Sequence, residues 1–224
     1  MNSVPSAMVF AAYDWDEPGE YVPFIRALNE SEQFTEDLSE IDAIDYGYVC
    51  VARYGDVEFA FMPSSLIRFI QWAVHNFNSL CRPCYIFFGA REEHIIFTCS
   101  RAQLMMQAMA LTGSTEDWKP LFGRPLQYAH SYELLEPNRD GEGRPQWPGT
   151  VTRSITINTR DWLEGIIGIG EHFRQLMLQS RPLIDQNPKN YIDPDVADRI
   201  REAYEFCEEY PAIRPEIERT MMDL

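Results

Sequence analysis

The apolar pattern predicts an α+β fold: a largely antiparallel sheet built from hairpins, with helices packed on it and an acidic helical segment at the C-terminal end. Three observations carry this reading. Residues 46–62 and 85–99 each read as two short strands joined by a tight turn. Stretches with helical spacing alternate with those hairpins, and nothing repeats at a period of roughly 20 to 50 residues, which excludes a solenoid. The 224 residues are 45% hydrophobic and 13% aromatic, enough for a full core. A core domain is expected over 1–184, with 185–224 as an acidic extension packed on it or projecting from it.

In chain order, residues 8–13 are a short apolar strand that ends in the punctuated turn Asp14-Trp15-Asp16-Glu17-Pro18-Gly19. Residues 21–28 suggest a short helix. Over 29–45, Phe34, Leu38, Ile41 and Ile44 lie at spacings of three and four, one apolar stripe on an acidic segment. Val49, Val51, Val57, Phe59 and Phe61 alternate around Tyr54-Gly55-Asp56 and make the first hairpin. Residues 64–80 carry Leu66, Ile70, Ala73, Phe77 and Leu80 on one face behind the capping hydroxyl of Ser64, and predict a buried helix. The second hairpin joins 85–89 to 94–99 across 90–93. Ser100, with Gln103 three residues on, then predicts a helix to Leu111.

Residues 126–135 suggest a strand, and the breaker-rich 137–149 an exposed loop. The β-branched run 150–158 is a strand, followed by a long helix over 159–179 and a proline-containing linker over 181–190. Asp193-Pro194-Asp195 caps a last helix whose stripe is Val196, Ile200, Ala203 or Tyr204, and Cys207; Pro211 and Pro215 are expected to end it.

Charge is distributed unevenly along the chain, whose formal net charge is −16. Residues 1–45 hold eleven acids against Arg26 alone, 46–184 are balanced, and 185–224 hold eleven acids against five bases. Such ends attract basic partners and repel nucleic acid and anionic membrane. Seventeen of the nineteen bases are arginines, the lysines being Lys119 and Lys189, a bias that genomic base composition explains. The N-terminal residues lack a signal-peptide pattern and no run of about 18 apolar residues could span a bilayer, so a cytoplasmic location with reduced thiols is expected.

The catalytic motifs are weak. Cys81-Arg82-Pro83-Cys84 has the spacing of a redox or zinc pair, but it follows a helix and precedes a strand, the reverse of the thioredoxin-like order. A four-residue turn in the second hairpin places Cys84 opposite Cys99 and His94 about 16 Å away, too far to share one zinc ion. Buried, apolar cysteines are the favoured reading. Asp14 and Asp16 after a strand look superficially like the Mg²⁺-holding aspartates of haloacid-dehalogenase-like enzymes, yet Pro18 and Gly19 stand where that pattern has a hydroxyl residue, and only two lysines, Lys119 and Lys189, are on offer for its later lysine. Gly165, Gly168 and Gly170 fall inside a helix and speak for close packing against something bulky. Asp161 and Glu164 are a carboxylate pair that helix-start acids also make by default.

The function expected from these features is a non-catalytic acidic binding protein, immunity- or inhibitor-like, that neutralises a basic protein such as a toxin, nuclease or nucleic-acid-binding factor. Its contacts are expected at Asp14, Asp16, Glu17, Glu20, Glu32, Glu36, Asp37, Glu40, Asp195, Asp198, Glu202, Glu205 and Glu209, with Trp15, Tyr21, Phe34, Tyr204 and Tyr210 as aromatic anchors. No cofactor, metal, direct nucleic-acid contact or membrane contact is expected; a homo-oligomer is compatible with the pattern. The alternatives are a small metal-dependent hydrolase or transferase using Asp14 and Asp16 or a site near Cys81 and Cys84, and a subunit of a larger assembly docked through the last helix.

Overall fold

The computed structural model describes residues 6–13, 21–23, 38–89, 94–111, 132–135, 139–147 and 149–224. The strands are β1 (Ser6–Tyr13), β2 (Tyr21–Pro23), β3 (Tyr48–Tyr54), β4 (Val57–Phe61), β5 (Cys84–Gly89), β6 (His94–Cys99), β7 (Gln103–Leu111), β8 (Tyr132–Leu135) and β9 (Gly149–Asn158). The helices are α1 (Ile41–Tyr46), α2 (Leu66–His75), α3 (Phe77–Leu80), α4 (Thr159–Gln186) and α5 (Pro194–Met222), with a 3-10 turn at Pro188–Tyr191. The strands form two sheets, in the orders β2-β1-β3-β4 and β8-β5-β6-β7-β9, and every pairing is antiparallel. The fold is α+β, as expected.

Both predicted hairpins form. Gly55 turns the first at φ 60°, a left-handed conformation that glycine adopts without strain. Alternation then sorts side chains: Tyr48, Cys50, Ala52, Phe59 and Phe61 enter the main core, while Val49 and Val51 face the other way against Val9, Ala60 and Met62. In the second hairpin Ile86, Phe88, Ile95 and Phe97 face the main core, and Phe87 and Ile96 pack outside it with Tyr85, Met109 and Trp147.

Helices cover the inner faces of both sheets. Phe69 of α2 meets Phe61 and Phe88 at ring distances of 5.5 and 5.3 Å, and Trp162 of α4 meets Phe97 at 5.7 Å. On α4, Trp162, Leu163, Ile166, Ile169, Phe173, Leu176 and Met177 are buried at helical spacing. Each such side chain contributes about 1.5–3 kcal/mol relative to leaving it in water. From α5, Ile200, Ala203, Phe206, Tyr210 and Ile217 enter the same core. The expected division at 184/185 falls inside α4, and the acidic segment that follows is packed on the helices.

Several elements differ from the sequence reading, each for a tertiary reason. Residues 103–111 are strand β7, not a helix. Ser100 caps a turn here: its hydroxyl accepts from the Gln103 N–H at 2.9 Å and donates to the Gln103 carbonyl at 2.8 Å, which turns the chain from β6 into β7. Leu104, Met106 and Ala108 then alternate into the core, and pairing with β6 and β9 outweighs the helical preference of Met, Gln and Ala. Residues 21–23 pair with β1 at a sheet edge, where Pro23 is tolerated, instead of opening a helix; 24–28 lie outside the described residues. Ser65, not Ser64, caps α2, accepting from the Arg68 N–H at 3.2 Å, and Asn76 divides the expected single helix into α2 and α3. Of the predicted strand 126–135 the described part is β8, paired with β5. The helical stripe over 29–45 is described only from Leu38 onward, where Ile41 and Ile44 are buried.

The prolines also behave differently. The expected linker 181–190 is largely helix, since α4 continues to Gln186 with the exposed Pro182 inside it. Likewise α5 runs through Pro211 and Pro215 to Met222. A helical proline deprives the carbonyl four residues earlier of its donor. At Pro211 that carbonyl belongs to Cys207, and it accepts from Arg174 Nε at 3.1 Å instead. Tyr210 and Ile217, both fully buried, hold the helix to the core on either side.

Candidate functional site

Residues 38–46 dock against the start of α5, so the end of the acidic N-terminal segment and the acidic C-terminal helix are neighbours. Asn190 makes this seam. Its buried side chain donates to the carbonyls of Ser39 at 2.8 Å and Ile184 at 3.0 Å, and accepts from the Ile41 N–H at 3.3 Å. Next to it Arg199, 8% exposed, reaches Asp45 Oδ2 at 2.8 Å and Asp42 Oδ1. Asp45 is fully buried and also accepts from Ser65 Oγ at 2.9 Å and the Ile67 N–H at 3.0 Å. Burial by itself would lower the Arg199 pKa, but hydrogen bonds to Asp45 and Asp42 raise it above the ordinary value. The Arg199–Asp45 pair thus joins α1, α2 and α5.

The sequence reading overlooked Arg199 and Asp45. A signal existed: Arg199 stands three residues after Val196 and four before Ala203, on the apolar stripe, where an arginine requires a buried partner.

Of the expected contact residues, Asp14, Asp16, Glu17, Glu20, Glu32, Glu36 and Asp37 lie outside the described residues. Glu40 pairs with Lys189 at 2.7 Å and raises the lysine pKa through that hydrogen bond. On α5, Asp198 and Glu205 share Arg201 at 2.9 and 3.7 Å, Glu202 meets Arg68 at 3.4 Å, and Glu209 meets His75 Nε2 at 3.4 Å. Asp195 sits exposed in the first turn, where its N–H donates to the capping Asp193 at 2.9 Å. Of the acids within α5, Asp195, Glu208 and Glu216 have no ion-pair partner among the described residues. Of the expected aromatic anchors, Trp15 and Phe34 lie outside the described residues. Tyr210 is a core residue, with its hydroxyl donating to the Ile167 carbonyl at 2.7 Å. Tyr204 is half-buried beneath the Arg181 guanidinium at 4.4 Å and donates to Asp185 at 2.9 Å. The α5 stripe proposed for docking in an assembly is packed against the chain's own core.

The carboxylate pair Asp161 and Glu164 does converge on a concavity. With His172, Gly165, Gly168 and Ile169 of α4 and Ala7 and Val9 of β1 they line a half-open groove of about 200 Å³. Asp161 accepts there from Asn158 at 2.9 Å. The bulky neighbour expected at the helix glycines is Tyr210, whose ring would lie 2.5 Å from a Cβ on Gly170.

At the far end of the second sheet, Cys84 and Cys99 are directly opposite each other, and His94 pairs with Gly89 at the other end of the same two strands. Cys81 and Cys84 are half-buried, not buried as expected; Cys99 is 4% exposed. Among the described residues no three histidine, cysteine or carboxylate side chains are placed to hold a metal ion.

The chain matches no family model, no curated protein and no solved structure. No described helix is long and apolar enough to cross a membrane.

Proposed function

We propose that this is a non-catalytic binding protein that presents the outer face of α5 to a basic protein and neutralises it. The observation that supports the reading is the orientation of charge on that helix. Asp195, Asp198, Glu205, Glu208 and Glu209 are exposed and Glu202 is half-buried, whereas Arg199 is turned inward to Asp42 and Asp45, leaving Arg201 as the outward base over 195–209. The ion pairs of Arg201 are solvent-exposed, and such pairs are worth about 0–1 kcal/mol each, so a partner's cations can replace them at little cost. A toxin, a nuclease or a nucleic-acid-binding factor has the matching charge, and complementary fields accelerate association and reject like-charged competitors.

The test is capture of partners from the source cell on the immobilised protein, followed by a salt titration and by the double charge reversal Glu205→Arg with Glu209→Arg. The expected partner is basic, its association slows as salt rises from about 50 to 500 mM, and the reversal slows it about tenfold or more. A neutral or acidic partner, or binding indifferent to salt, removes the reading. A second reading, a small hydrolase or transferase, draws on the groove that Asp161, Glu164 and His172 line. It requires a turnover that Asp161→Asn and Glu164→Gln abolish without loss of fold.

A further inference from the structure

We propose that Cys84 and Cys99 are an oxidisable pair that hydrogen peroxide converts into a cross-strand disulfide, with Cys84 as the attacking thiol and Cys99 as the resolving one. The geometry comes from the strand register. Cys84 of β5 and Cys99 of β6 are directly opposed, and they stand on the same face as Ile86, Phe88, Ile95 and Phe97. Opposed residues in antiparallel strands have Cα atoms about 4.5–5.5 Å apart, inside the roughly 4.4–6.8 Å window that a disulfide needs. Cys99 is part of the main buried cluster and Cys84 packs against that cluster at its edge.

Access separates the roles. Cys84 is half-exposed at the sheet end, where its own thiol donates to the Ser79 carbonyl at 3.0 Å until it ionises, and Cys99 lies behind it in the core. The hydrogen bond from Cys99, aided by the nearby Arg82 guanidinium and opposed by burial, holds the Cys84 thiol below its ordinary range. Donation to Cys84 first, and burial next, push the Cys99 thiol upward, so it stays protonated while Cys84 reacts. Cys81 differs: its thiol donates to the Phe77 carbonyl at 3.3 Å, and burial raises its pKa.

The chemistry balances with peroxide as the oxidant. The Cys84 thiolate attacks one oxygen of hydrogen peroxide; an S–O bond forms, the O–O bond breaks, and the departing hydroxide takes the proton released by Cys84 to become water. The Cys99 sulfur then displaces hydroxide from the Cys84 sulfenic acid, forming the S–S bond, and its thiol proton completes the second water. The two thiols lose two electrons and two hydrogens, and one peroxide becomes two waters. A thiol reductant reverses the bond by exchange.

The experiment exposes the reduced full-length protein to hydrogen peroxide, blocks remaining thiols, and maps non-reduced peptides. The expected product is one cross-linked peptide pair containing Cys84 and Cys99, lost on treatment with dithiothreitol. The cross-link persists in Cys81→Ser and is lost in Cys84→Ser, whose Cys99 stays a free thiol. No cross-link at all, a Cys81–Cys84 disulfide, or Cys84 driven to sulfinic acid while Cys99 remains free overturns the pairing. The decisive mapping is done on the wild-type chain, so it holds even where a variant folds poorly.

Discussion

Replacing Arg199 by methionine removes the buried ion pair that ties α5 to α1. Asp45 is fully buried; its Oδ1 accepts from Ser65 and from the Ile67 N–H, and its Oδ2 relies on Arg199 at 2.8 Å. Methionine fills the space but removes the only counter-charge among the described residues within ion-pair distance of that carboxylate. An uncompensated buried charge of this kind destabilises by about 3–5 kcal/mol. Asp42 is 52% exposed on its side chain, and its share is at most about 1 kcal/mol. A chain of this size loses about 2–4 °C of Tm per kcal/mol, so the expected fall is about 6–20 °C. Thermal and urea unfolding of the wild type, Arg199→Met, Asp45→Asn and the double variant complete a cycle. The double variant should recover part of the loss, because a neutral amide still accepts from Ser65 and Ile67. If Arg199→Met stays within about 1 kcal/mol of the wild type, or if the double variant is the sum of the singles, the pair is not the clamp described.

Four further outcomes follow from the helices. Gly170→Ala should lower stability by about 1–3 kcal/mol in urea unfolding, because its Cβ meets the Tyr210 ring at 2.5 Å, whereas Gly168→Ala, with no described atom within 4 Å, should gain up to about 1 kcal/mol of helix propensity. Arg174→Ala should cost about 1 kcal/mol by orphaning the Cys207 carbonyl, and less in a Pro211→Ala background, where residue 211 regains the N–H for that carbonyl; equal costs in both backgrounds would contradict the substitution of donors. Burial raises the Tyr210 pKa to about 12 and that of Cys207 to about 11. Both groups hold their protons more tightly folded than unfolded. Their contribution is therefore complete below the unfolded values, near 10 and 9, and disappears as pH climbs through the folded ones; unfolding free energy should decline between about pH 9 and 12, less steeply in Tyr210→Phe. Ser180→Ala should leave stability unchanged or raise it, since the Ser180 hydroxyl is buried with no hydrogen-bond partner among the described residues.

The amino-acid sequence by itself determined the elements whose cause is local. Residues 48–61 and 84–99 are pairs of short runs rich in β-branched and aromatic residues, each pair separated by only a few residues, and with a turn at Gly55 such a pattern allows few other structures. Asp193 with Pro194 started α5 for the same reason, since capping depends on neighbours in the chain. Only the tertiary structure decided the rest. Residues 103–111 favour a helix on their own and became a strand because β6 and β9 supply partners for both of its edges. Pro182, Pro211 and Pro215 did not end their helices, because packing on the core, and at Pro211 a guanidinium from α4, compensates what the ring removes. The candidate site divides in the same way. The amount of negative charge is a property of composition, but Arg199 finds Asp45 across 154 residues of chain, and that meeting turns the arginine inward while the carboxylates of α5 face the solvent. Burial of a charge depends on contacts distant in sequence, so no local pattern distinguishes a carboxylate spent inside the fold from one left outside it.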